Sequence, residues 1–224
     1  GWVRARTGHG HDAAGFAFKA GDGLYGTFEC RTVDTLLAFG DHGRVYSVPV
    51  ASLPGARGDG QPVLSLIELE PGTRLLHYFA GPAQAQLLLS ASGGYGFIAC
   101  VADMVSRQRA GKAFITCNEH ETVCAPSHVT GSSGSTDVSP ATHVACASAL
   151  GRILTFEIGE LKLMEKGGRG LMLIDLEPKD SLAGAAAYVR SVRIFGIGRG
   201  GKPREDQLEI RSLNNARAAR ARKG

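Results

Sequence analysis

Leu36-Leu37-Ala38-Phe39-Gly40-Asp41-His42-Gly43-Arg44-Val45-Tyr46-Ser47-Val48 is an apolar run, a turn of Gly and Asp, and a second run that alternates. This pattern reads as a β-hairpin, because strand side chains point alternately to opposite faces and a tight turn needs residues that tolerate unusual backbone angles. Counted from Gly43, an apolar residue (Leu53) lies ten positions on and a glycine (Gly60) lies seventeen on. The layout returns with Leu88 to Ala91, Gly94-Tyr95-Gly96-Phe97, Met104 and Gly111, and again with Val144 to Ala147, Gly151-Arg152-Ile153-Leu154, Leu161 and Gly168. Three copies that share both offsets mark an internal repeat.

Two weaker copies flank these three. Gly1-Trp2-Val3-Arg4 matches Gly43-Arg44-Val45-Tyr46 without a strand before it, and Val192 to Gly196 leads to Gly198-Arg199 with Leu208 ten residues on. The anchors Gly1, Gly43, Gly94, Gly151 and Gly198 are 42, 51, 57 and 47 residues apart. Repeats of about 50 residues with about four short strands are those of propeller-like blades, whereas solenoid repeats of that length are helical. No amphipathic helical periodicity of useful length is found. The expected fold is therefore all-β, a propeller-like disc of five four-stranded blades at about 1–35, 36–80, 81–128, 129–185 and 186–224. Within the second blade, 36–39 is expected to pair with 44–48, 63–67 to add a strand, and Pro71-Gly72 to turn the chain into a strand over 74–79.

At 224 residues with 31 glycines the chain can bury a core and is rich in turns. No run approaches the ~20 apolar residues of a membrane span. The opening on Gly1 in mid-strand, with no signal peptide, predicts an excised domain. Five unpatterned cysteines, Cys30, Cys100, Cys117, Cys124 and Cys146, predict free thiols in a reducing cytoplasm. The net charge of +4 is unevenly placed: residues 199–224 carry +5 and the remainder −1. The basic end, from Ala216 to Gly224, is expected to be solvated and without a partner.

Several motifs invite a chemical reading and lose to a structural one. His9, His11 and Asp12 supply too few metal ligands and read as a surface turn. Cys117, His120, Cys124 and His128 follow a C-x2-H-x3-C-x3-H spacing, and His120-Glu121 opens an HExxH motif, but Cys124 stands where its second His belongs. The stretch reads as an inter-blade connection. Gly196-Ile197-Gly198-Arg199-Gly200-Gly201-Lys202-Pro203 satisfies GxGxxG and most of a phosphate loop, yet Pro203 occupies the Ser/Thr position and no helix follows, so a hairpin turn is expected. The polar, low-complexity stretch over 130–142 reads as a loop insertion. No catalytic, cofactor or metal site is expected in the chain.

The glycine at offset seventeen has basic company in each copy: Arg57 beside Gly60; Arg107, Arg109 and Lys112 around Gly111; Lys166 and Arg169 around Gly168. Equivalent repeats place such loops equivalently. Glycine lets a backbone amide approach a phosphate, and Arg or Lys supplies charge, so the loops together predict a track for a duplex DNA backbone. Arg57, Arg107, Arg109, Lys112, Lys166 and Arg169 are the leading candidate contacts. Arg44, Arg152, Arg199, Lys202 and Arg204 follow, with Arg44 and Arg152 open to a structural role in their hairpins. The alternatives are a protein-interaction scaffold with solvated loops and, more remotely, a nucleotide-using enzyme.

Gly1-Trp2-Val3-Arg4, Lys19-Ala20-Gly21-Asp22, Gly43-Arg44-Val45-Tyr46, Ala56-Arg57-Gly58-Asp59-Gly60-Gln61-Pro62, Arg109-Ala110-Gly111-Lys112-Ala113 and Lys166-Gly167-Gly168-Arg169-Gly170 resemble the C-terminal domain of the topoisomerase IV A subunit, ParC. The resemblance is specific over 1–175 and thins after Asp180. It implies a five-bladed β-pinwheel behind the DNA-cleaving part of a bacterial, cytoplasmic, nucleoid-associated enzyme. It further implies that the domain binds and bends DNA and helps select the segment passed, in decatenation and supercoil relaxation. ATP and Mg²⁺ would be used elsewhere in that enzyme, and the partners would be duplex DNA, the N-terminal cleavage domain and the ATPase subunit ParE. The related gyrase A subunit has a Gln-Arg-Arg-Gly-Gly-Lys-Gly box in its first blade. Here that blade offers only Gly8-His9-Gly10-His11-Asp12, which points to topoisomerase IV rather than gyrase.

Overall fold

The hairpins form where the apolar runs and glycine turns place them. A computed structural model describes residues 1–18, 20–129, 139–198 and 200–224. In chain order its strands are β1 (Trp2–Val3), β2 (Thr35–Gly40), β3 (Arg44–Pro49), β4 (Gln61–Pro62), β5 (Leu75–Gly81), β6 (Gln86–Ala91), β7 (Tyr95–Cys100), β8 (Lys112–Ala113) and β9 (Ser127–His128). They continue with β10 (His143–Ser148), β11 (Ile153–Glu157), β12 (Leu171–Met172), β13 (Leu182–Tyr188), β14 (Ser191–Ile197) and β15 (Pro203–Glu209). The helices are short, α1 (Val101–Met104) and α2 (Ile210–Asn215). None of the described helices is long and apolar enough to cross a membrane.

Among the described residues these strands pair antiparallel in five sheets, ordered β1-β4, β5-β2-β3-β8, β12-β7-β6-β9, β11-β10-β13 and β14-β15, and isolated parallel bridges such as Ala5 with Gly55 link loops to them. The all-β pinwheel expected from the repeat is the architecture found, with two of the sheets carrying the full four strands. The three central hairpin turns close the same way: Gly43, Gly94 and Gly151 donate their amides to Gly40, Ala91 and Ser148, at 3.0, 2.9 and 3.0 Å.

The continuous apolar runs have a physical cause. Alternate residues of one strand go to opposite faces, and here both faces are covered by a neighbouring sheet. Leu36 and Ala38 of β2 pack in a cluster with Tyr46 and Val63, while Leu37 and Phe39 pack with Leu87, Leu89 and Phe97 of the next hairpin. Leu88 turns the other way, to Val144, Cys146 and Phe156. Ala145 then faces Tyr188, Val192 and Leu213. The core is thus a row of apolar seams, one between each pair of successive sheets.

The chain is exchanged across those seams. Three strands are each joined on a free edge by a two-residue strand from the following repeat: β4 on β1, β8 on β3 and β12 on β7. The expected strand over 63–67 is therefore not formed; Val63–Ser65 is a 3-10 turn, and the pairing residues are Gln61–Pro62 just before it. The reason is that Val63 is drawn into the seam, where its amide donates to the Gly1 carbonyl at 2.9 Å.

The ten-residue offset is the turn that starts this crossing. A single helical turn follows each second strand, at Val50–Ser52, at α1 and at Ile158–Glu160, and Leu53, Met104 and Leu161 end or immediately follow it. In the last repeat Leu208 instead lies within β15, and Leu213 of α2 takes the buried turn position. The glycine-rich stretch at 196–203 is the expected hairpin turn, with Gly198 donating to the Lys202 carbonyl at 2.8 Å. Residues 130–138 of the low-complexity stretch, together with Lys19 and the candidate Arg199, lie outside the described residues.

Candidate nucleic-acid interface

After each helical turn the chain runs over a loop to the preceding hairpin. It meets that hairpin at one register, four residues past the anchor glycine. The Ala5 amide donates to Pro54 O at 2.8 Å; Ile98 donates to Lys162 O at 3.0 Å and accepts from Met164 at 2.8 Å. At the seam between them, Ser47 Oγ donates to Ser106 O and accepts from the Ser106 amide, both at 2.9 Å. The three basic loops, 54–60, 105–111 and 162–170, therefore occupy equivalent places at successive seams.

The recurrent glycines of these loops have a packing role in the seam that their spacing alone did not show. Gly60 and Gly111 have φ of +84° and +60°, and a Cβ on either would drive into the carbonyl oxygen of Val3 or Val45 on the preceding hairpin. In the third loop Gly170, not Gly168, takes this place against Gly96. Backbone packs directly on backbone there, and only a residue without a side chain fits.

The predicted cations divide into two sets. Arg57, Arg107 and Lys166 are exposed, and no hydrogen bond, ion pair or ring contact holds their charged groups among the described residues. Arg109 is exposed and rests one Nη on Ser65 O at 3.0 Å, and Lys112 lies 5.5 Å from the Phe114 ring centre.

The arginines of the second set are paired with acidic side chains. Arg44 donates Nε to Glu70 at 3.0 Å and Nη1 to the carbonyls of Ala110 and Gly111 at 3.0 and 3.2 Å, clamping the loop that crosses to it. Arg169 makes two 2.9 Å hydrogen bonds to the two oxygens of Glu121 while its guanidinium sits 4.2 Å from the Tyr95 ring centre. Arg152 pairs with Glu177 at 3.3 Å and Arg204 with Asp206 at 2.8 Å, while Lys202 stays exposed at the tip of the β14–β15 hairpin. For Arg44 and Arg152 this is the structural role left open from the sequence. Arg169 moves from the leading contacts to the same role.

The Arg169–Glu121 clasp carries a pH signature. The hydrogen bonds from Arg169 hold the Glu121 carboxyl below its ordinary value near 4.5, against the opposing effect of its burial. A depressed carboxylate contributes stability that is present above its unfolded-state value and lost as pH falls through the folded one. Glu121→Gln is expected to lower stability at pH 7 by about 1.5–3 kcal/mol, as charged hydrogen bonds do. It should also flatten the fall in melting temperature between about pH 5 and pH 3. Thermal melts of both proteins across that range check this; parallel acid limbs would show that the clasp contributes nothing.

The zinc-like spacing does not gather. His120 is exposed at φ +69°, whereas Cys124 is buried and donates its thiol to Leu182 O. Burial pushes Cys117 and Cys124 up to about 11, so both are thiols at neutral pH. Among the described residues no group of three or more His, Cys, Asp or Glu side chains is placed to hold a metal ion.

One basic segment was missed by sequence reasoning. Residues 216–224 stay largely exposed, as expected, but they are not without a partner: they return to the β10–β11 hairpin, and a strand-like bridge joins Arg217 to Thr155. Its signal was available, since Arg222-Lys223-Gly224 combines cations with glycine as the other loops do.

The chain matches a family described as DNA gyrase C-terminal domain, beta-propeller, over residues 34–72 and 142–187. It is 40% identical over 99% of its length to the A subunit of DNA topoisomerase 4 from Neisseria gonorrhoeae, and covers 29% of that protein. Against the Escherichia coli K12 counterpart the identity is 29% over the full chain, again 29% of the relative. The solved structure of the E. coli ParC C-terminal domain superposes with a TM-score of 0.81 at 29% identity, over 100% of this chain and 89% of that one. The chain belongs to the family of C-terminal domains of the topoisomerase IV A subunit. A gyrase A C-terminal domain, at 18% identity and a TM-score of 0.64 over 87% of this chain and 60% of that one, shares the fold. The chain spans 29% of the length of each of these two curated relatives.

Proposed function

We propose that the chain binds duplex DNA through its backbone, without reading sequence, and bends it along successive blade seams. The observation that carries this reading is the set of exposed cations Arg57, Arg107 and Lys166, without a partner among the described residues and one in each of three loops placed equivalently by the strand exchange. Phosphate contacts fix position and carry no sequence information, and charges held on successive blades favour a curved path for the duplex. Arg109, Lys112 and Lys202 lie on or beside the same loops and the last hairpin and add to the field.

In the whole enzyme of this family the domain would act as the C-terminal part of the topoisomerase IV A subunit. It would present a DNA segment for ATP-dependent strand passage in decatenation and supercoil relaxation, beside the N-terminal cleavage domain and the ATPase subunit ParE, in the bacterial cytoplasm. ATP and Mg²⁺ chemistry would lie in those parts, and this chain's contribution is binding and orientation.

The test is equilibrium binding to a long duplex across a salt series. With about four to six phosphates neutralised, log K should fall against log salt with a slope near −4 to −5, and random-sequence duplexes should compete equally. A flat salt response would overturn the reading in favour of a protein-interaction scaffold.

A further inference from the structure

We infer that residues 216–224 form a fourth backbone-binding loop of the same interface, with Arg222 as its phosphate contact; the inference rests on the DNA-binding reading above. The segment repeats the loop geometry in detail. The Thr155 amide donates to Ala216 O at 2.9 Å, and the Ala218 amide donates to Thr155 O at 3.0 Å. This is the two-way exchange that Ile98 makes with Lys162 and Met164 one seam earlier. Thr155 lies four residues past Gly151, as Ile98 lies four past Gly94. Gly224 completes the match: a Cβ there would meet the backbone of Ile153, as one at Gly60, Gly111 or Gly170 would meet Val3, Val45 or Gly96.

The cations of this segment have separate tasks. Arg217 pairs with Glu157 at 2.6 Å and Lys223 with Glu177 at 3.1 Å. Arg220 gives its amide to Glu160 at 3.0 Å and its Nη1 to the Met172 carbonyl. Main-chain bonds add to these, from Ala221 to Leu173 O at 2.9 Å and from Asp175 to Arg222 O at 3.1 Å. With the backbone on both sides of it pinned, the Arg222 side chain is exposed and has no partner among the described residues. Arg222 shares exposure and a free side chain with Arg57, Arg107 and Lys166, at the register that Gly168 holds one seam earlier. Four residues of like charge with no acidic member make the segment the most basic of the four loops. A strap that served only to hold β11 would need Arg217, Arg220 and Lys223, and would leave Arg222 without a task.

Because successive seams are ordered along the chain, the fourth loop lies at one end of the track. Arg222→Ala should lower the magnitude of the salt slope by about one. It should leave the melting temperature at the parent value and shorten the hydroxyl-radical footprint on an end-labelled duplex at one end only. Arg222→Lys should restore the slope. Arg107→Ala, measured beside it, separates the two claims. If Arg107→Ala loses about one unit of slope while Arg222→Ala keeps the parent slope and footprint, the segment is a strap and this inference fails with the DNA reading intact. If both keep the parent slope, both claims fail.

Discussion

Gly111→Val is expected to cost at least about 3 kcal/mol of folding stability, and DNA binding falls with it. Two effects add at this residue. Its φ of +60° is a region that a β-branched residue enters only under strain of order 1–3 kcal/mol. The new Cβ would also run into the Val45 carbonyl oxygen and press on the Tyr46 ring, so β8 would have to leave β3. Tyr46 is fully buried and Val45 lines a core seam, so the displacement opens apolar packing on both sides of the sheet. For a chain of this size the loss corresponds to a fall in melting temperature of about 6–12 °C. Gly58→Val is the matched comparison: Gly58 has φ +85°, but a Cβ there meets nothing within 4 Å. It should show the backbone strain alone, about a third to a half of the effect. Equal melting temperatures for the two variants would mean that Gly111 is not pressed into the seam.

The contrast between these glycines shows what the sequence made legible. Hairpins were readable because both of their causes are local: a glycine turn, and apolar runs long enough to be covered on both faces. The strand exchange was not. β4, β8 and β12 have two residues each, too short for any periodicity, and their partners lie in the preceding repeat. The seventeen-residue glycine was visible as a spacing, but its cause, a carbonyl of another hairpin, is visible only in three dimensions. The same limit governs the candidate site. Sequence adjacency put Arg169 with Lys166, whereas folding brings Arg169 to Glu121, 48 positions away, and leaves Lys166 exposed. The terminal loop was hidden by a change of spacing: β15 and α2 lengthen the path from Gly198, so its glycine no longer falls at seventeen.

Replacing Arg57, Arg107 and Lys166 together by alanine is expected to remove most of the salt-dependent DNA affinity while leaving the fold as stable as before. Each side chain is exposed with no ion pair among the described residues, so nothing buried is orphaned by its loss, and each change should stay within about 0.5 kcal/mol. Binding responds differently, because each neutralised phosphate releases about 0.9 of a counterion. Three lost contacts should bring the slope from near −4 or −5 to about −2, and at 0.1 M salt the affinity should fall by roughly 100- to 500-fold. Arg169→Ala is the informative opposite. Its guanidinium is committed to Glu121 and Tyr95, so its removal leaves a half-buried carboxylate without its ion pair and should lower the melting temperature. The salt slope should stay near the parent value, since that charge is already neutralised within the protein. Salt-series binding and thermal melts on the four-membered set of parent, triple variant, Arg169→Ala and Gly58→Val decide the matter. A triple variant that binds like the parent, or an Arg169→Ala variant that alone loses slope, would return the phosphate contacts to the seam arginines and leave the loop cations merely solvated.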